Sequence, residues 1–167
     1  MTMPDRAERA FEAHDAFERE GEWFQLTTVT FDVRVQASET DDWALSYDLE
    51  VRAPMLSDAV EGEVGDALES GWFDTYALRL EDAPGAVRES VELAALDVRA
   101  EAGEAVAVFT FEWGNADRAP AIAKALAEYA EGTYMEGVVP GFDYVEPISS
   151  MLAAAEQNSG GRGGTPL

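Results

Sequence analysis

His14 is the only histidine and cysteine is absent, so few routes to nucleophilic or metal chemistry are open to this chain. A Ser-His-Asp triad would have to use His14, and a closed zinc site, built from Cys and His ligands, cannot be assembled. His14 falls at helical spacing with Ala7, Phe11 and Phe17. That is the place of a partly covered helix residue rather than of a general base. No G-x-S-x-G elbow, Walker loop or H-E-x-x-H pair occurs. Glu128 and Glu131 stand three apart on a helical pattern, a spacing that can hold a divalent ion or divide acid and base work. Among 34 acidic residues such spacings arise throughout by chance, so a solvated helix face is the simpler reading. The Asp41-Asp42 turn lacks the glycine and terminal glutamate of an EF-hand loop. Gly62-Glu63-Val64-Gly65 has the outline of a phosphate-clamping loop, but its acidic insert would repel phosphate. Neither a cofactor nor a metal site is implied.

One stretch is chemically denser. Residues 128–144 combine four aromatic side chains with glycines, Pro140 and carboxylates in a segment read largely as a connector. Glycines permit turns and close backbone approach, and tyrosines give amphipathic contacts for a ligand or partner. The binding surface expected from this density is Tyr134, Glu136, Phe142, Asp143 and Tyr144, with Trp72 and Tyr76 beside them. The competing reading is a loop whose rings cover one end of a sheet.

The elements that would position these residues follow from hydrophobic period. Pro4 and Asp5 open a helix expected to run to Glu20 and stop at Gly21. The period then becomes two. Val29, Phe31, Val33 and Val35 read as the inner face of one strand, and Trp43, Leu45, Tyr47, Leu49 and Val51 as that of the next, joined by the turn 39–42. After Pro54, a helix capped by Ser57 is expected to carry Val60, Val64 and Leu68, weakened by Gly62 and Gly65. Residues 72–83 fit helix or strand, and the length before Pro84-Gly85 favours helix. A second hairpin spans Val91 to Trp113, with a bulge near Ala94-Ala95, the turn 101–104, and Phe109 and Phe111 facing inward. Asn115 or Asp117 then caps a long helix bearing Ile122 and Leu126. The connector occupies residues 132–146, and a short helix carries Ile148, Met151 and Leu152. Paired strands between helices predict an α+β fold, an antiparallel sheet built from two β-hairpins and covered by helices. Residues 1–156 read as a single domain and residues 157–167 as a disordered Gly-rich tail.

Charge speaks to solvent more than to chemistry. The formal net charge is −23, and Lys124 is the only lysine. Such a surface repels itself in dilute buffer, and molar salt screens that repulsion. Preference for arginine over lysine limits exposed alkyl stem, which high salt makes costly. These features predict a halophilic protein. No basic face exists for nucleic acid, and no run approaches membrane-spanning length. The opening residues lack an apolar leader segment, so the expected location is cytoplasmic.

The pattern Glu-Tyr-x-Glu-Gly-Thr-Tyr-x-Glu-Gly-x-Val-Pro-Gly from Glu128 to Gly141 resembles a family of small uncharacterised haloarchaeal proteins, a domain of unknown function. Residues 51–56, 71–75 and 79–83 are similar to it as well, so the resemblance covers roughly residues 24–152. It implies haloarchaeal origin and carries over no activity, cofactor or catalytic residue. The function expected from these observations is a non-enzymatic interaction or regulatory domain, with a protein partner or self-association. The alternative is a small-molecule-binding domain with hydrolase or isomerase activity, its ligand unknown.

Overall fold

A computed structural model describes residues 3–163, with side chains described for residues 3–157. Helix α1 (Asp5–Glu12) is followed by strands β1 (Phe17–Glu20), β2 (Trp23–Leu26), β3 (Asp32–Glu39) and β4 (Leu45–Pro54). Helices α2 (Leu56–Ala59) and α3 (Asp66–Leu80) lead to β5 (Leu93–Glu101) and β6 (Glu104–Trp113), and α4 (Ala119–Glu136) and α5 (Ile148–Gly163) end the described chain. The strands form one six-stranded sheet in the order β1-β2-β3-β4-β6-β5, every neighbouring pair antiparallel. The fold is α+β. Among the described residues, no helix is long and apolar enough to cross a membrane.

Alternation in the strands decides which face is buried. Val35 lies opposite Leu49, Leu49 opposite Phe109, and Tyr47 opposite Phe111. All five are fully buried on the face that also receives Phe11, Ile122 and Leu126 from α1 and α4. The Tyr47 and Phe111 rings stack at 5.1 Å. The turn between β5 and β6 puts Ala102 and Gly103 at φ 51° and 82°, the left-handed pair of a tight hairpin. A Cβ on Gly103 would lie 2.9 Å from the end of the exposed Asp58 side chain, which can move aside, so it is the left-handed backbone that favours glycine there.

The other sheet face carries an ion-pair ladder. Glu50 Oε1 accepts from Arg34 Nε at 3.0 Å and from Arg52 Nε at 2.7 Å, and Arg52 Nη1 reaches Glu104 at 3.1 Å. The Arg34 guanidinium lies 3.9 Å over the Trp23 ring. Burial alone would push the Glu50 carboxyl up, but hydrogen bonds from Arg52 and Arg34, with their charges, hold it below its ordinary 4.5. A depressed carboxylate stabilises the fold above its ordinary value, and that contribution is lost as pH falls through the folded one. Glu50→Ala therefore costs about 2–3 kcal/mol at neutral pH, the scale of hydrogen bonds to charged groups. Urea unfolding at pH 7 and pH 3 checks the sign: the difference between variant and wild type shrinks in acid.

Several elements differ from their expected form. The first helix stops at Glu12, and β1 and β2 make a third hairpin, turned at Gly21. The turn after α1 is closed locally, because His14 Nδ1 accepts from the Ala16 N–H at 3.2 Å. Phe17, freed from the helix, packs edge-on to Phe11 at 4.9 Å. Val29 precedes β3, in a bend. Trp43, expected inward, is 73% exposed. Asp42 Oδ1 accepts from the Ala44 N–H at 2.8 Å, bending the chain before β4 begins at Leu45, so Trp43 lies outside the ladder. Its ring covers Gly114, where a Cβ would meet it at 1.7 Å. The expected helix from Ser57 is broken into α2 and α3, with Gly62 and Gly65 in the gap. Residues 72–80 are helical, as favoured, and the β5 irregularity falls between Leu93 and Ala95, as expected. Asn115 accepts from the Asp117 N–H at 3.1 Å, capping a short 3-10 turn ahead of α4. Helix α5 extends to Gly163, carried past Leu152 by the helix-forming run Ala153–Gln157, so it enters the expected tail. Residues 164–167 lie outside the described ones.

Candidate functional site

Helix α4 runs on through Glu136, past Gly132, so the first part of the expected connector is helical. This places Tyr134 on the inner side of α4, 1% exposed, with its hydroxyl donating to the Pro54 carbonyl at 2.8 Å. Around it an aromatic cluster closes. Trp72 and Tyr76, one turn apart on α3, lie parallel at 6.0 Å. Both meet the Tyr134 ring edge-on, at 5.4 and 5.7 Å. Phe31 meets it from the sheet side at 4.9 Å. Burial drives the Tyr134 and Tyr76 hydroxyls far above their ordinary value, so both stay protonated at any physiological pH. The Tyr76 hydroxyl is buried and has no hydrogen-bond partner among the described residues.

Over this cluster, α3 and the end of α4 leave an open groove of about 310 Å³. Leu68, Gly71, Trp72, Thr75, Tyr76 and Arg79 line it from α3, and Glu136, Gly137 and Val139 from the end of α4 and just beyond. Leu68 is 44% exposed there. Gly71 has open space where a Cβ would stand. A Cβ on Gly137 would lie 3.7 Å from Trp72 Nε1, which puts the indole nitrogen at that end of the groove. A cleft lined mainly by apolar and aromatic side chains with a few polar groups is the form that binding sites commonly take.

The structure thus brings Trp72, Tyr76 and Glu136 to one groove and puts Tyr134 beneath them. Phe142, Asp143 and Tyr144 are held elsewhere, on a strap against the segment after α2. The Glu61 N–H donates to the Asp143 carbonyl at 2.9 Å, the Val145 N–H to the Ala59 carbonyl at 2.8 Å, and Tyr144 bridges Val60. Tyr144 links the strap to the groove rim, its hydroxyl accepting from the Val139 N–H at 2.7 Å. Phe142 and Tyr144 pack half-buried on the core, and Asp143 is exposed.

The remaining sequence candidates have structural partners. Glu128 pairs with Lys124 at 2.8 Å. Glu131 Oε2 accepts from the Thr30 and Phe31 N–H groups at 2.8 and 3.1 Å, pinning α4 to the loop before β3. His14, half-buried, closes its own turn and lies 5.5 Å edge-on to Phe17. Leu68, Gly71, Thr75 and Arg79 were not among the expected site residues. Their signal is faint: α3 lacks a single apolar stripe, and its exposed Leu68 and Leu78 are the visible trace of that.

The model of a family of unknown function, DUF5813, matches residues 12–154, and the chain belongs to that family. No curated protein matches the chain, and no solved structure does.

Proposed function

We propose that this member of the DUF5813 family is a non-enzymatic interaction domain whose α3–α4 groove seats an apolar group of a partner protein. The observation that carries this reading is the exposure of Leu68 at the mouth of an apolar groove floored by Trp72. The depressed carboxylates of Glu50, Glu89 and Glu146 lie outside the groove. None of them supports acid–base work at it. We place the domain in the cytosol of a haloarchaeon, supported by its net charge of −23 and its single lysine. Apolar recognition suits that solvent, since high salt screens ion pairs and strengthens apolar burial.

Gly71 offers a clean test. A Cβ there meets nothing within 4 Å, so a longer side chain at this lining position has room to start, and Gly71→Gln places one at the groove. Removing a mid-helix glycine also stabilises α3, by about 0.5–1 kcal/mol. The expected result is a melting temperature equal to or above wild type, together with loss of whatever co-purifies with the wild-type chain at high salt. Unchanged co-purification by a stably folded Gly71→Gln chain counts against the groove.

A further inference from the structure

The two edges of the sheet are built differently. At one end, β1 has four residues, of which Glu18, Arg19 and Glu20 are charged. Short, charged strands of this kind discourage pairing with another chain. At the other end, β5 has nine residues. Its irregularity lies between Leu93 and Ala95, and from Ala95 to Glu101 the strand holds neither proline nor glycine. The Ala102-Gly103 turn fixes which backbone groups of β5 are left free. A turn of this type bonds its first and last residues, here Glu101 and Glu104, which are partners in the ladder. Alternation along an antiparallel strand then directs the N–H and C=O groups of Asp97 and Arg99 to β6, and those of Leu96, Val98 and Ala100 away from it. Among the described residues, no backbone hydrogen bond from outside the sheet reaches these outward groups.

The side chains along this edge are self-complementary. Leu96, Val98 and Ala100 stand opposite the buried Phe109, Ala107 and Ala105 on the core face, and Asp97 and Arg99 lie on the other face. We propose that β5 pairs antiparallel with β5 of a second copy of this chain, about a two-fold axis through Val98, so that one sheet runs through both copies. That axis sets Val98 against Val98, Leu96 against Ala100, and Asp97 against Arg99 on both sides. The outward groups of Leu96, Val98 and Ala100 are the ones such pairing uses. Neighbouring registers fail on charge. Centred on Asp97, that carboxylate meets its own copy; centred on Arg99, the guanidinium meets its own copy and Asp97 meets Glu101. A register centred between residues sets apolar against polar side chains on each face. In the single chain Arg99 holds Asp97 at 2.9 Å and Glu101 at 3.4 Å, and in the dimer the second copy's Asp97 joins the same guanidinium. Leu96 and Val98, half-buried beside Ala77 and Glu81 of α3, gain cover from the added strand. A strand of another protein could use an open edge, but the two-fold match of charge order is specific to a second copy. This surface shares no residue with the lining of the α3–α4 groove, so its test stands apart from that of the groove.

The test is sedimentation velocity of the full chain at the lowest potassium chloride concentration that keeps it folded. Wild type is expected to dimerise as its concentration rises. Asp97→Arg and Arg99→Asp, each at an exposed position, should each weaken the dimer about tenfold, the scale of replacing two cross-strand charge pairs by like charges. An equimolar mixture of these two variants, and a chain carrying both changes, should each recover the wild-type affinity, because opposite charges face one another again. Ala100→Pro removes an outward N–H, which an edge strand tolerates, and should leave a folded monomer. Hydrogen exchange of wild type should slow at the Leu96, Val98 and Ala100 amides as concentration rises, while Asp97 and Arg99, bonded to β6, stay unchanged. A wild type that is monomeric at every concentration overturns the proposal, and so does a dimer that survives Ala100→Pro intact. If that variant does not fold, the charge variants and the exchange pattern decide. Single charge variants that associate like wild type, or a mixture or double variant that fails to recover, overturn the register and with it the second copy as occupant.

Discussion

Truncating Phe111 to alanine is expected to remove about 3–5 kcal/mol of stability, the range for deleting a large aromatic side chain from a packed core. Phe111 is fully buried on β6, paired with Tyr47 across β4 and with Leu93 across β5. Its ring stacks on Tyr47 at 5.1 Å, and Tyr47 in turn approaches Phe11 of α1 at 6.2 Å. Deleting the ring therefore opens a void where the two hairpins and the helical layer meet. Tyr47→Phe is the matched control. The Tyr47 hydroxyl is buried with no hydrogen-bond partner among the described residues, and burial pushes its pKa up to about 12. Losing an unpartnered buried hydroxyl is neutral or stabilising. Denaturant unfolding of both variants gives the contrast. A cost within error for Phe111→Ala, or a large cost for Tyr47→Phe, contradicts the packing described.

The hairpins that meet at this point were legible because each strand alternates for three or more apolar residues and each pair is joined by a short polar turn. Val33, Val35, Tyr47, Leu49, Phe109 and Phe111 all fall on the face that period two assigns to them. The β1-β2 hairpin was not legible for the converse reason. Its strands are four residues long, and Phe17-Glu18-Arg19-Glu20 holds one apolar residue, too few for a period. Local pattern then favoured continuing the helix, until tertiary burial of Phe17 against Phe11 decided otherwise. Trp43 misled for a different reason. Alternation extends the apolar phase one residue pair beyond the point where Asp42 turns the chain. The groove is a property of two helices far apart in sequence. Aromatic density drew attention to Tyr134, Trp72 and Tyr76, and those rings do converge, but the convergence makes a floor. The accessible part, Leu68 and Arg79, belongs to α3, where Gly71 and mixed polarity hide the exposed face from any periodic reading. Glu136 sits at the rim only because α4 continues past Gly132, a residue whose low helix propensity argued for a break.

Dilution of salt is expected to unfold the chain. The formal charge is −23, and the positive charges present are largely committed to local pairs, as in the Arg34–Glu50–Arg52–Glu104 ladder and the Arg99 pairs with Asp97 and Glu101. Those pairs neutralise their own neighbourhood and leave the remaining carboxylates facing one another. At about 0.1 M salt the screening length is about 10 Å, long enough for carboxylates on adjacent elements to repel; at about 1 M it falls to about 3 Å. Self-repulsion acts most strongly on the compact state, so lowering salt penalises the fold more than the unfolded chain. Lower salt also weakens apolar burial, and both effects act in one direction. The short pairings β1-β2 and β2-β3 hold the edge of the sheet and have the least ladder to lose. They should melt first. Circular dichroism from molar to millimolar potassium chloride would report loss of the cooperative thermal transition, and hydrogen exchange would place the earliest loss of protection in residues 17–26. A complete cooperative transition retained at millimolar salt would show that the ion-pair ladder and the buried aromatic core outweigh the charge, and the high-salt habitat would lose its physical support.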